Sequence, residues 1–116
     1  MPDDVYFKDR RSRFIAVSKS VVRRFGGATR AQIIGRTDFD FFSPTHAREA
    51  YEDEQRIIRT GQPMVEKLEK EIWPDGRVTW ALTSKMPLRD EQRRIIGTFG
   101  ITKDVTKSKE IELALE

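Results

Sequence analysis

Few residues of this chain have side chains that could carry out chemistry. Its 116 residues include one histidine, His46, and no cysteine. The absence of cysteine excludes disulfides, thiolate metal sites, a catalytic thiol and a flavin–cysteine adduct. Ser18, Ser84 and Ser108 have no histidine predicted beside them, so the pattern offers no nucleophile with its base. We therefore expect the domain to have no enzymatic activity of its own.

The acidic residues allow two further kinds of site. Asp38 and Asp40, in the stretch DFD, could bind a hard cation from one side of a strand or turn. We favour the ordinary alternative, in which one of them caps a helix or pairs with a lysine, and we predict no metal. Asp53, Glu54 or Glu66 could be the isolated carboxylate that a cone-shaped α+β isomerase needs in an apolar pocket. Surface carboxylates are far commoner, so the isomerase is the least favoured function.

Charge and hydropathy limit the partners of the chain. It has 22 basic and 19 acidic residues, and its arginines are scattered among RRSR, VVRR and EQRR. A nucleic-acid groove would gather its charge on one element, so we expect no nucleic-acid binding. No apolar run approaches the roughly 20 residues that span a bilayer, and no signal peptide opens the sequence. We expect a cytoplasmic location without direct membrane insertion, and we expect Met1 to be an internal residue of a longer protein.

The first part of the chain predicts a hairpin followed by short helices. Residues 5–7 and 14–18 are rich in β-branched and aromatic side chains, which favour strands. Ser18 is placed to cap a short helix that ends at a pair of glycines. Thr29 and Gln32 have the spacing of a capping box, which predicts a second short helix.

The rest of the chain predicts one longer helix and three strands. Ser43-Pro44 and Gly61 are the start and stop signals of the helix, whose apolar stripe is interrupted by Glu54. The period-two runs MVEKLEKEIW, VTWALTSKM and IIGTFGITKDV predict strands joined by the turns WPDGRV and PLRDEQRR. We therefore expect an α+β domain with one five-stranded antiparallel sheet, and with short helices and one longer helix on one face.

This order of elements resembles that of a PAS domain, a sensory module of bacterial signalling proteins. YFKDRRSRFIAVS resembles the opening hairpin, IIGRTDFDFF the short helices, and RTGQP with PDGRVTW the helix exit and central hairpin. SKMPLRDEQRRIIGTFGITKDVT resembles the closing strands and ends in the family's D-(I/V)-T signature at Asp104, Val105 and Thr106. The motifs are specific through their order and spacing, and they indicate the fold more than the ligand.

The resemblance implies a sensor domain at residues 1–106. Residues 107–116 would begin a signalling helix, or coiled coil, that leads to a covalently linked output domain outside this sequence. The parent would be a sensor histidine kinase or a diguanylate cyclase or phosphodiesterase of cyclic-dinucleotide signalling. The domain would bind a small molecule or partner and pass the change to that output. The alternative is a structural dimerisation module with a filled cavity and no ligand.

The cofactors of the known branches of this family fit the sequence poorly. The haem-ligand position falls at about Ala50, one turn beyond His46, which we expect to be a surface histidine. The flavin-contacting Asn and Gln positions of the photoactive branch correspond to Ala81 and Thr102. We therefore predict neither haem nor flavin, and leave an unknown small ligand open.

The strand VTWALTSKM requires a choice between its two faces. Periodicity alone would turn Trp80 and Leu82 toward the helices, whereas the resemblance implies that Ala81, Thr83 and Lys85 face a cavity. Following the resemblance, the candidate pocket residues are Phe39, Phe42, Ile58, Ala81, Thr83, Lys85, Thr98 and Thr102. The outer sheet face would carry Trp80, Leu82, Met86, Phe99 and Ile101. Such an apolar patch needs a cover, so we predict a homodimer formed through this face and flanking helices.

Two further expectations concern single positions. A buried Lys85 must be paired, so it could bind an anionic ligand such as a small carboxylate. The preferred alternative is an internal pair with Asp38, Asp40 or Asp53. At the end of the last strand, Asp104 and Thr106 match the signature that ties the strand to the exit helix. We expect them to relay the signal, with either side chain capping that helix.

Overall fold

The structure is a computed structural model that describes residues 3–116, so the expectation about Met1 lies outside the described residues. Its strands are β1 (Asp4–Asp9), β2 (Phe14–Val17), β3 (Met64–Ile72), β4 (Val78–Arg89) and β5 (Ile95–Asp104). Its helices are α1 (Lys19–Arg24), α2 (Arg30–Ile33), α3 (Pro44–Thr60) and α4 (Thr106–Ala114), with a 3₁₀ turn at Asp38–Asp40.

The five strands form one antiparallel sheet in the order β2-β1-β5-β4-β3. The opening hairpin joins the closing meander through the pairing of β1 with β5. This pairing gives the hairpin the neighbour that a two-stranded unit needs for stability. The α+β fold with one five-stranded antiparallel sheet, predicted from the sequence, is confirmed.

Local signals explain where the helices begin and end. Pro44 stands at the start of α3, and Gly61 ends the helix in the left-handed region at φ 73°. The capping box of α2 is confirmed, because the Thr29 side chain accepts from the Gln32 N–H and the Gln32 side chain accepts from the Thr29 N–H. Ser18 precedes α1, but its Oγ accepts from the backbone N–H of Val5 instead of capping the helix.

The end of β4 differs from the sequence prediction. PLR was expected to open a turn, yet β4 continues through Pro87 to Arg89 and the turn begins at Asp90. The pairing of β4 with β3 extends only as far as Lys85 opposite Met64. Beyond that point β4 is flanked by β5 alone, so a proline without an N–H is tolerated on the open side.

The apolar core lies at one end of the sheet. Phe14, Val17, Val21 and Ile33 form a buried cluster between the opening hairpin and the short helices. Phe25 stacks on Phe41 with ring centroids 4.5 Å apart, which extends this cluster. The region beneath α3, near the centre of the sheet, is polar and charged, and it is there that the candidate site lies.

Candidate functional site

Buried charges occupy the space between α3 and the centre of the sheet. Glu54 of α3 is fully buried, and its Oε2 accepts from Lys8 Nζ of β1 at 2.6 Å and from Lys85 Nζ of β4 at 2.7 Å. Lys8 Nζ also donates to Asp38 Oδ2 at 2.6 Å. The two lysines are 1% and 3% exposed. One carboxylate therefore joins a helix to two strands that are not neighbours in the sheet.

Regular spacing brings these three side chains together. Glu54 lies four residues after Ala50, on the face of α3 that turns toward the sheet. Lys85 lies two residues after Thr83, so both point to the same face of β4. Lys8 lies two residues after Tyr6 in β1, and both side chains line the cavity. The three charged side chains meet because each occupies an inward position of its own helix or strand.

Glu54 and Lys85 are both ionised at neutral pH. Burial disfavours the charged form of Glu54, but the ammonium groups of Lys8 and Lys85 outweigh it and lower the pKa of Glu54 to about 2. Burial likewise disfavours the charged form of Lys85, while the Glu54 carboxylate raises the pKa of Lys85 well above its ordinary value. Each group keeps its charge because its partner carries the opposite one.

A chain of hydroxyl groups lies beside the charges. The Tyr6 hydroxyl and Thr102 Oγ1 are 2.9 Å apart, and Thr102 Oγ1 is 3.1 Å from Thr83 Oγ1. Burial raises the pKa of the Tyr6 phenol, which keeps it neutral. The Tyr6 ring crosses β5 at Gly100, where a Cβ atom would stand 2.4 Å from a ring carbon. A glycine at this position therefore lets the tyrosine reach Thr102.

Arg24 forms a second ionic contact at another part of the cavity. Its guanidinium donates to Asp4 of β1 and to Glu71 of β3. Burial disfavours its charge, but Glu71 and Asp4 together raise the pKa of Arg24. Glu71 also accepts from Thr79 Oγ1 at 2.7 Å. The arginine thereby links α1 to β1 and to β3, two strands that are separated in the sheet by β5 and β4.

These groups enclose a cavity of about 30 Å³. It is lined by residues of three kinds: charged or titratable (Asp4, Lys8, Arg24, Asp38, His46, Glu69, Glu71, Lys85), aromatic (Tyr6, Phe14, Phe25, Phe42) and small or aliphatic (Val21, Ala50, Thr102). Such a volume admits roughly two water-sized groups, far less than the ~300 Å³ of a typical drug-sized pocket. Glu69 is 7% exposed, and its Oε2 has no hydrogen-bond partner among residues 3–116.

The predicted pocket residues fall into three groups. Phe42, Lys85 and Thr102 line the cavity. Ile58, Ala81, Thr83 and Thr98 are buried but are not among the residues that line it. Phe39 is 48% exposed and lies edge-on to the Tyr51 ring, so the prediction that it roofs the cavity is wrong. The 3₁₀ turn directs its Asp38 inward and its phenylalanine outward.

The interactions of Lys85 and His46 also differ from expectation. Lys85 pairs with Glu54, whereas the predicted partners were Asp38, Asp40 or Asp53. Because this carboxylate already engages the ammonium group, a ligand carboxylate bound to Lys85 is not supported. His46 is buried against the Phe42 ring, with centroids 4.6 Å apart, and is not a surface histidine.

The acidic residues weighed for other chemistry have ordinary partners. Asp38 pairs with Lys8, and Asp40 Oδ2 accepts from the Thr37 N–H in a capping box. Within residues 3–116 no group of three or more His, Cys, Asp or Glu side chains is arranged to hold a metal ion. Glu54 is shielded from solvent but shared by two lysines, so it is not the isolated carboxylate that the isomerase alternative requires.

Sequence reasoning missed most of the charged residues around the cavity. Lys8, Arg24, Glu69 and Glu71 were not singled out, although each lies in or beside a predicted element. A usable signal was present in β3, where Glu69 and Glu71 are two residues apart and share one face. Two acidic residues on one face of a strand, opposite a strand with an inward lysine at Lys85, indicate a polar interior. This pattern could have suggested that Glu69 and Glu71 lie at the cavity.

The outer sheet face is apolar, and this chain covers it only partly. Trp80, Leu82, Met86 and Phe99 are half-buried and Ile101 is exposed. Phe7 stacks on Phe99 with ring centroids 5.7 Å apart, and Lys109 of α4 lies 5.2 Å from the centroid of the Trp80 ring.

The junction of β5 and α4 is held by hydrogen bonds to β4. Asp104 Oδ1 accepts from the Thr106 N–H at 2.8 Å, and Thr106 Oγ1 accepts from the Trp80 N–H at 2.9 Å. The Val105 N–H donates to the Trp80 carbonyl at 2.9 Å. Asp104 thus binds the first N–H of the helix as expected. Thr106 contacts the sheet and does not act as the cap, because the capping position is Val105.

An antiparallel sheet of order 2-1-5-4-3 that holds a cavity beneath short helices is the architecture of the PAS fold. The chain belongs to the PAS fold family, whose sequence pattern matches residues 1–110. The PAS domain of a protein from Colwellia psychrerythraea has the same fold, with a TM-score of 0.73 at 19% identity over 90% of this chain and 87% of that one.

Two sensor kinases are similar to the chain in sequence. The methanogenesis regulatory histidine kinase FilI of Methanothrix harundinacea is 28% identical over 113 residues, which is 97% of this chain and 12% of FilI. The aerobic respiration control sensor protein ArcB of Escherichia coli is 25% identical over 118 residues, which is 99% of this chain and 14% of ArcB. The chain therefore spans a small part of these multidomain relatives.

VqmA is similar in both sequence and structure. VqmA bound to DPO has a TM-score of 0.78 and 30% identity, covering 89% of this chain and 52% of VqmA. The Vibrio cholerae VqmA dimer has a TM-score of 0.80 and 29% identity, covering 92% of this chain and 48% of that protein.

Among residues 3–116, the helices are too short or too polar to serve as a membrane span.

Removal of the Glu54 charge provides a test of the network. Glu54→Gln should lower the free energy of unfolding at pH 7 by about 3–5 kcal/mol, because Lys85 loses its carboxylate and Lys8 loses one of two. Glu52→Gln, at an exposed position of the same helix, is the matched control and should change it by less than about 0.5 kcal/mol. Urea unfolding followed by circular dichroism measures both.

The difference in stability between the wild type and Glu54→Gln should depend on pH. Folding lowers the pKa of Glu54 from 4.5 to about 2. Its stabilisation is therefore fully present above pH 4.5 and is lost as the pH falls toward 2. The stability difference between wild type and Glu54→Gln should shrink over that interval, and a constant difference would contradict an ionised Glu54.

Proposed function

We propose that this chain is the sensory unit of a larger signalling protein. It binds a small molecule in the cavity between α3 and the sheet and passes the change through β5 and α4 to an output domain. The domain itself is expected to be non-catalytic, as PAS domains typically are. A histidine kinase is the favoured output, since FilI and ArcB match nearly all of this chain.

The observation that carries this proposal is the short path from the cavity to α4. Thr102 lines the cavity and contacts Tyr6 and Thr83. Asp104 follows two residues later in the same strand and accepts from the Thr106 N–H. A displacement of Thr102 by a ligand would therefore act on β5 within four residues of the helix. The likeness to VqmA, which has been observed bound to DPO, supports a cavity used for ligands.

A second function is favoured by the small volume of the cavity. At about 30 Å³ it is almost filled by its own side chains, as in a dimerisation module without a ligand. The apolar outer face would then be the functional surface. The dimer observed for Vibrio cholerae VqmA supports self-association in either case.

The relay role can be tested at the β5–α4 junction. The double change Asp104→Ala and Thr106→Ala should abolish the response of the full-length parent protein to its signal, because it removes the contacts of the junction with α4 and with Trp80. The isolated domain should still fold, since neither side chain is buried. Autophosphorylation with and without stimulus, alongside circular dichroism of the domain, gives the two readouts.

Lys103→Ala with Lys107→Ala is the matched control, because these neighbouring side chains are exposed. It should leave the response intact. A double variant at Asp104 and Thr106 that still responds like the wild type would contradict the relay.

The dimer interface can be tested separately. Trp80→Glu places a charge in the centre of the apolar outer face and should convert a dimer into a monomer in sedimentation equilibrium. Thr45→Glu, on an exposed position at the start of α3, is the control and should leave the mass unchanged. If Trp80→Glu and Thr45→Glu dimerise equally well, the outer face is not the dimer interface.

A further inference from the structure

Glu69 is a buried acid that has no hydrogen-bond partner for its Oε2 among the described residues. It lies in β3 opposite Ala81 and lines the cavity beneath the helices. Its Oε2 is buried and accepts no hydrogen bond from residues 3–116. Glu71, two residues further on the same face, is bound by both Arg24 and Thr79. A buried carboxylate oxygen without a donor is destabilising, so Glu69 Oε2 is free to accept a hydrogen bond from a donor outside the chain.

The charges around the cavity indicate the sign of that donor. The site contains five carboxylates and three cationic side chains, which leaves two negative charges in excess when His46 is neutral. The carboxylates are those of Asp4, Asp38, Glu54, Glu69 and Glu71, and the cations are those of Lys8, Arg24 and Lys85. An anionic ligand would increase the imbalance, whereas a cation would reduce it.

The remaining wall of the cavity is suited to a cation as well. The rings of Tyr6, Phe14, Phe25 and Phe42 line it. Lys8 Nζ already lies 4.7 Å from the centroid of the Phe14 ring, which shows that a positive charge is accommodated against this wall. The hydroxyl groups of Tyr6 and Thr102 add polar atoms that can reorient toward a ligand.

We propose that the cavity binds a small cation with N–H donors, of the amidinium or alkylammonium class, through the carboxylate of Glu69. This inference rests on the proposed sensory function and specifies the chemistry of its ligand. The cavity admits roughly two water-sized groups as its side chains stand, so the cationic group is small, and an ion of four non-hydrogen atoms such as acetamidinium requires the lining side chains to change rotamer. Glu69 is the specificity-determining residue, because among residues 3–116 its Oε2 lines the cavity without a hydrogen bond, whereas Glu54, whose Oε1 also lacks one, does not line the cavity.

Three compounds of nearly equal size and shape but different charge show whether binding depends on the charge of the ligand. Acetamidinium, acetamide and acetate are titrated in turn into the ¹⁵N-labelled 116-residue chain, and binding is followed in ¹H–¹⁵N correlation spectra. Acetamidinium should give saturable shifts at the amides of Glu69 and Thr102. Acetamide should bind about tenfold more weakly or less, because it lacks the charge-assisted hydrogen bond, and acetate should not bind.

A variant pair assigns the binding to the named carboxylate. Glu69→Gln should weaken acetamidinium binding by about tenfold or more, whereas Glu66→Gln, at an exposed position of the same strand, should leave it unchanged. Without ligand, Glu69→Gln should have an unfolding temperature equal to or above that of the wild type, because it removes a buried carboxyl group whose Oε2 accepts no hydrogen bond among residues 3–116. A loss of binding therefore cannot be attributed to unfolding.

Three results would overturn the inference: acetate binding as tightly as acetamidinium, acetamidinium binding that is unaffected by Glu69→Gln, or no binding of any of the three. Native mass spectrometry of the freshly purified chain distinguishes this failure from failure of the sensory function. A copurified anion would retain the sensory function and exclude the cationic ligand. No copurified molecule together with no probe binding would reject both and favour the dimerisation module.

Discussion

The sharing of Glu54 between Lys8 and Lys85 is the interaction on which the rest of this structure depends. It fixes α3 to β1 and β4 at once, across the central strand β5. A buried ion pair is seldom an efficient source of stability, because desolvation of both charges offsets their attraction. Here it has a different effect: it defines one position of the helix over the sheet, since each charge must find its partner.

This constraint sets the character of the cavity. Because Lys85 is engaged by Glu54, the most obvious site for an anion is already occupied by a protein carboxylate. The acids that remain at the cavity, above all Glu69, then dominate its charge. The hydroxyl chain from Tyr6 ends at Thr102 of β5, so a change in the cavity has a direct route along this strand to the β5–α4 junction.

The fold could be predicted from the sequence because its signals are local. Pro44 and Gly61 mark the ends of α3, and period-two runs mark the strands. The candidate site was predicted only in part. Periodicity alone would have turned Trp80 toward the helices, and only the resemblance to known PAS domains assigned Lys85 inward. The choice of Glu54 as its partner depends on which turn of α3 crosses the sheet, a tertiary property that spacing along the chain does not encode.

The most direct test of this account is an NMR titration of the Glu54 side-chain carboxyl carbon in the folded chain. The carboxylate chemical shift should stay constant as the pH is lowered from 7 through 4.5 and change only near the pKa of about 2, or when the protein unfolds. An inflection at or above pH 4.5 in the folded protein would contradict it, because Glu54 would then not be held in its charged form by Lys8 and Lys85.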